Sequence, residues 1–103
     1  MNAQCVVNLL SMAQRARRVA SGAFAVEEAL KKHKARLLLL AVDARPETKR
    51  RFEELADRYD VPAVSLLTKE ALGSCLGKEY RAVAAVLDAG FAQRLRELME
   101  AQA

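Results

Sequence analysis

Tryptophan is absent, histidine occurs only at position 33, and the 103 residues include just two cysteines, two prolines and four glycines. Each scarcity removes a class of function. Cys5 and Cys75 have neither a second thiol nor His33 at metal-ligand spacing, which disfavours structural zinc and a Cys–His catalytic pair. With no secretory signal at the start, free thiols in a reducing, cytoplasmic setting are expected. Cys5 is expected on the inner face of the first helix. Gly22, Gly73, Gly77 and Gly90 form neither a dinucleotide fingerprint nor a Walker loop, so no nucleotide cofactor is expected. The aromatics are Phe24, Phe52, Phe91, Tyr59 and Tyr80, too scattered for a base-stacking platform. No apolar run approaches the ~18 residues of a membrane span. Acidic residues are missing before Glu27, as in organelle transit peptides, but removing such a segment would leave too little chain for a domain.

What is present suits one domain over residues 1–103. Hydrophobic residues make up 52% of the chain, enough to fill one core. The formal net charge of +4 is unevenly spread. Residues 1–36 hold seven Lys or Arg against Glu27 and Glu28, a balance of +5, while the rest holds ten bases against eleven acids, a balance of −1. The basic excess is thus an N-terminal patch, which is either a solvated helix face or an anion-binding surface.

Helices and strands alternate along the chain. Val6, Leu9, Leu10, Ala13 and Ala16 share one face of a helix over Ala3 to Ala16. An extended link, Arg18 to Ala20, precedes a Ser21-Gly22 turn. Ser21 is expected to cap a second helix, Ala23 to Lys32, buried through Val26, Ala29 and Leu30. The run Leu37 to Val42 reads as a strand buried on both faces. Pro46 opens a third helix carrying Phe52, Leu55, Ala56 and Tyr59 inward, with Glu47–Arg51 and Glu54–Arg58 pairs outward. Ala63 to Leu67 is a strand, Thr68 caps a short helix closed by Gly77, and Lys78 to Arg81 is an exposed loop. Ala82 to Leu87 is the last strand, and Asp88 caps a final helix that buries Phe91, Leu95 and Leu98. This order predicts an α/β sandwich with a small, mostly parallel sheet.

Two features carry chemistry. The Gly22 turn can aim backbone N–H groups and the positive end of a helix dipole at an anion. Asp43 and Asp88 each end a strand, where α/β enzymes keep carboxylates, but each also precedes a helix and suits a cap better.

The segments Arg15-Ala16-Arg17-Arg18-Val19-Ala20-Ser21-Gly22, Lys34 to Asp43, Thr48-Lys49, Val61-Pro62, Thr68-Lys69, Leu72-Gly73, Leu76-Gly77-Lys78-Glu79 and Gly90-Phe91-Ala92 together resemble a known family. It is the kink-turn-binding ribosomal-protein family of the large-subunit seven-A-e and thirty-e type, and the likeness is strongest to its bacterial YlxQ branch. The resemblance implies a three-layer α/β/α sandwich with a small four-stranded mixed sheet, no catalysis, no metal, and structured RNA, ribosomal in type, as partner. It places RNA on Ser21, Gly22, Ala23, Phe24, Ala25 and Glu28, with Lys31 and Lys32 beyond them, and on the loop Lys78, Glu79, Tyr80 and Arg81. Arg17 and Arg18 add charge, Arg17 standing where many relatives have Gly. Kink-turn readers carry a polar residue, often Asn, at position 24, Glu at 25 and Lys at 28; here Phe24, Ala25 and Glu28 stand there. Binding through phosphates is therefore expected to dominate over base reading. The alternatives are a protein-interaction module anchored by Phe24 and, lowest, a small enzyme using Asp43 and Asp88.

Overall fold

The computed structural model describes residues 3–100, so the two residues before and three after them, which the single-domain expectation includes, lie outside the described residues. Nine elements follow in order: α1 (Ala3–Arg15), β1 (Val19–Ser21), α2 (Ala23–Lys31), β2 (Leu37–Leu40), α3 (Pro46–Arg58), β3 (Ala63–Ser65), α4 (Lys69–Cys75), β4 (Val83–Val86) and α5 (Ala89–Glu100).

The four strands form one sheet in the order β1-β4-β2-β3. Only β2 and β3 run parallel; β4 is antiparallel to both β1 and β2. The expected mostly parallel sheet is therefore corrected to a mixed one. Inserting β4 between β1 and β2 reverses two of the three pairings, and no local pattern records that insertion. The extended link at Arg18 to Ala20 is likewise corrected: Val19 to Ser21 is an edge strand, paired with Val86 to Ala84.

The leucine run behaves as its composition requires. Leu37 to Leu40 are all buried, Leu37 and Leu39 in one core cluster, Leu38 and Leu40 in the other, because successive side chains point to opposite faces. Beneath Leu37 and Leu39 lie Val6 and Leu10 of α1, Leu72 of α4 with Leu76 at its C-cap, and Ala92 and Leu95 of α5. Opposite them, Leu38 and Leu40 meet Val26 and Leu30 of α2 and Phe52 and Ala56 of α3. The result is a three-layer α/β/α sandwich. Burying each leucine or phenylalanine contributes about 1.5–3 kcal/mol. The strand is shorter than expected, since Val42 is exposed beyond its end. Likewise β3 stops at Ser65, because Leu67 turns into the left-handed region at φ 56°.

Several side chains differ from their expected positions. Cys5 and Ala16 are exposed and Leu9 is half-buried, so the buried stripe of α1 narrows to Val6, Leu10 and Ala13. Ser21 does not cap α2; Gly22 holds the N-cap position without a side-chain bond, while Ser21 belongs to β1. Thr68 and Asp88 cap as expected, accepting from the N–H groups of Ala71 and Phe91. Asp43 also caps, but not the helix that follows it: its Oδ1 accepts from the N–H of Lys69, at the start of α4. The Glu47–Arg51 and Glu54–Arg58 pairs do not form among the described residues. Arg51 instead reaches across to Glu27 on α2, tying the two helices of that layer.

Candidate nucleic-acid interface

The candidate interface lies where β1, β2 and β3 end and β4 begins. Helices α2, α3 and α4 all start at this end of the sheet, so three positive dipole ends converge there. In α/β sheets this carboxyl end of the strands is also where ligands collect.

Gly22 makes the turn. Its φ of 91° and ψ of 156° lie in a region open essentially to glycine alone. Space is not the constraint, because a Cβ there would lie 3.8 Å from Arg81 Nε, an ordinary contact. The Gly22 N–H still donates to the Val83 carbonyl, extending the β1–β4 ladder by one residue. With no side chain capping α2, its first-turn amides at Ala23, Phe24 and Ala25 are left for water or a ligand.

The loop before β4 closes against this turn. Arg81 Nε donates to Ser21 Oγ at 3.1 Å, and its Nη1 donates to the Tyr80 carbonyl at 2.9 Å. The remaining guanidinium N–H groups, Nη2 among them, are available to a ligand. From the other side, the Arg81 N–H donates to the Lys69 carbonyl at 3.0 Å, so the loop is fixed to both α4 and β1. Gly73 of α4 lies beneath Glu79 and Tyr80 in direct backbone contact. Gly77, at φ 71°, and the Lys78 N–H bond to the Gly73 carbonyl close the helix beneath the loop. Lys78 and Glu79 are exposed. Phe24 is 82% and Tyr80 61% exposed, so two aromatic rings stand free on the turn and on the loop.

The expected residues divide between two places. Ser21, Gly22, Ala23, Phe24 and Ala25 join Lys78, Glu79, Tyr80 and Arg81 at the turn end. Arg17 and Arg18 do not: Arg18 precedes β1, and its carbonyl accepts from the Leu87 N–H beyond the last residue of β4, at the far end of the sheet. Lys31 and Lys32 also lie away, roughly 13 Å along the nine residues of α2. Both are paired, Lys31 with Glu27 at 3.0 Å and Lys32 with Glu28 at 3.7 Å. The hydrogen bond from Lys31, with further help from Arg51, holds the Glu27 carboxyl below its usual range against partial desolvation. The cations of the N-terminal charge excess thus lie together, but away from the Gly22 turn and from Lys78 and Arg81.

Two cations at the turn end escaped the sequence reading. Lys49, in the first turns of α3, donates to the Val42 carbonyl at 3.2 Å. Lys69 is the first residue of α4. Both stand near helix N-termini, where the dipole disfavours a cation. That misplacement is the signal that marks them.

With this geometry in place, the profile of the ribosomal protein L7Ae/L30e/S12e/Gadd45 family matches residues 5–96. The chain belongs to this family. A Bacillus subtilis (strain 168) relative named RNA-binding protein YlxQ is 38% identical over 92 residues, which cover 89% of this chain and 92% of the relative. An Enterococcus faecium protein of the same name is 30% identical over 99 residues, 96% of this chain and 95% of that one. Among solved structures, a Bacillus halodurans C protein described as of unknown function superposes with a TM-score of 0.87 at 32% identity, covering 92% of this chain and 96% of that one. The Giardia lamblia 15.5kD RNA binding protein superposes with a TM-score of 0.77 over 91% of this chain and 84% of its own. At 23% identity that last likeness is one of fold. The family match takes in every element of the turn end, from Gly22 to Arg81.

Proposed function

We propose that this L7Ae-family chain is a non-catalytic binder of structured RNA, ribosomal in type, and that it holds RNA at the Gly22 turn and the Lys78–Arg81 loop. The observation that carries this is the Arg81–Ser21 hydrogen bond, which joins the two segments into one surface beside the uncapped start of α2. Relatives named as RNA-binding proteins support the same partner. The enzymatic alternative loses its carboxylates, since Asp43 and Asp88 are both engaged by backbone amides. Among the described residues no helix is long and apolar enough to cross a membrane.

Contact runs mainly through phosphates. Phe24 and Ala25 bring no polar side chain to base edges, and the Glu28 carboxylate is engaged with Lys32. Lys69, Lys78, Arg81 and the α2 amides are the groups that meet the RNA backbone. With three cations engaged, log affinity falls with log salt at a slope of roughly −2 to −3. The test is a filter-binding titration of a kink-turn RNA and an equal-length duplex over a salt series. Arg81→Ala is expected to reduce the slope by about one unit and to weaken both RNAs alike, while Arg94→Ala on α5 changes neither. Equal losses from the two variants would mean that net charge alone drives association. A kink-turn RNA bound far more tightly than the duplex would show that α2 reads bases after all.

A second reading, a protein docking surface, is favoured by one observation, the 82% exposure of Phe24. Phe24→Asn separates the two. Stability should stay within about 0.5 kcal/mol, as for an exposed site. A loss or gain in RNA affinity places the ring at the RNA; unchanged RNA affinity with loss of a protein contact favours docking.

A further inference from the structure

The cations that the fold moves away from the Gly22 turn gather again at the opposite end of the sheet. One peptide group organises them: the Val86 carbonyl accepts from the Arg36 N–H at 2.7 Å, and the Leu87 N–H of the same peptide donates to the Arg18 carbonyl at 2.8 Å. Arg18 and Arg36 therefore flank β4 on its two sides, two strand spacings or roughly 10 Å apart. Arg17, at the end of α1, and Lys34, beyond the end of α2, are exposed at the same end. None of Arg17, Arg18, Lys34 and Arg36 has an acidic partner within 4 Å among the described residues. The nearby carboxylate of Asp88 is turned inward to the Phe91 N–H. Toward α5, Arg36 borders an open cleft also lined by Arg96, Glu97 and Glu100, so the unbalanced charge lies on the α1 and α2 side.

We infer that this far end is a second RNA-backbone site, so that one chain bridges two RNA segments; the inference rests on the RNA reading of the turn end. The two ends differ in kind. Among the described residues, three of the four exposed large hydrophobic side chains, Phe24, Val42 and Tyr80, stand at the turn end, whereas the far end offers Arg and Lys with little apolar surface. Such a surface suits a phosphate chain and not an apolar protein partner. The molecule measures 30 × 28 × 26 Å, and the sites occupy opposite ends of the sheet, so a straight duplex lying across one end leaves the other open.

The experiment is a capture assay. One short RNA duplex is immobilised, the chain is bound to it, and a second, fluorescent copy of the duplex is added over a salt series, with chain mass followed in parallel. The wild-type chain is expected to retain the second duplex while monomeric. Lys34→Ala/Arg36→Ala, both outside the turn end, should bind the immobilised duplex yet capture the second weakly, with the salt slope of capture reduced by about 1.4–1.8. Capture by the double variant equal to wild type, or no capture by a wild-type chain that binds the first duplex, would overturn the inference and leave the turn-end site standing. Failure of the wild-type chain to bind the first duplex at all would overturn both, and a second duplex retained only by dimers would assign bridging to self-association instead.

Discussion

Gly73 and Glu79 touch through their backbones: a Cβ built on Gly73 would lie 2.8 Å from the Glu79 carbonyl oxygen and 2.9 Å from the Tyr80 Cα. Those atoms are main chain of the loop that presents Tyr80 and Arg81, so they cannot swing aside as a side-chain tip could. Gly73→Ala is expected to cost about 1–3 kcal/mol as overpacking and to lower RNA affinity by displacing the loop. Gly77 is the contrast. Nothing lies within 4 Å of its Cβ position, and only its φ of 71° selects glycine. Gly77→Asn should therefore recover most of the stability lost in Gly77→Ala, whereas no residue with a Cβ should rescue position 73. Urea unfolding of the three variants checks this.

Arg17 sits at φ 60°, just past α1, where the Arg18 N–H closes back on the Ala13 carbonyl at 2.9 Å. This is a left-handed helix-closing position that favours glycine. Arg17→Gly relieves the left-handed strain but adds chain entropy to the unfolded state. The balance is a gain of about 0.5–1 kcal/mol in stability, read as a higher urea midpoint. If the arginine is kept for its charge, the same variant should weaken capture of a second RNA.

The Glu27 cluster sets a pH dependence. Its carboxyl is held below the ordinary value of 4.5 by the Lys31 hydrogen bond first, and by Arg51 as well. A lowered folded pKa contributes stability that is fully present above 4.5 and is lost as pH falls through the folded value. At the alkaline end the sign reverses. Lys31 is raised above 10.5, chiefly by the same hydrogen bond, so its contribution holds below that pH and fades as pH rises through the folded value. Glu27→Gln is expected to flatten this part of the acid limb and to remove the pairing shift of Lys31. Because the pair is exposed, added salt should shrink both effects.

Asp43 and Thr68 cap the same helix from two directions, the first across 26 residues of sequence and the second locally. Each change to Ala should cost about 0.5–2 kcal/mol. Asp43→Ala has a further consequence, since the Lys69 carbonyl is the anchor of the Arg81 N–H. It is expected to weaken RNA binding more than Thr68→Ala does at equal loss of stability. A double-mutant cycle, with unfolding and RNA titration on the same four proteins, measures the coupling.

By itself the sequence determined the parts of this protein that local chemistry controls. Leu37 to Leu40 had to be a doubly covered strand, because four apolar side chains alternating across a sheet leave no face for water. Pro46, Thr68 and Asp88 marked helix starts through rules that act within one turn. That the Gly22 turn and the loop motif Leu72 to Glu79 share one surface was implied only by the family resemblance, since a glycine's local backbone requirement does not say which distant segment it will meet. Tertiary structure decided the rest. The sheet is mixed because β4 enters between β1 and β2, and β1 was illegible because three half-buried residues at an edge carry no alternation. Asp43 took an amide 26 residues away in place of the nearer helix. The division of the expected RNA-contacting cations has the same origin: strand register is a long-range property, and it places Arg18 and Arg36 on one Val86–Leu87 peptide while Arg81 meets Ser21 at the other end. Charge counted along the chain cannot distinguish one surface from two, because the distance between two cations is fixed by which strands pair.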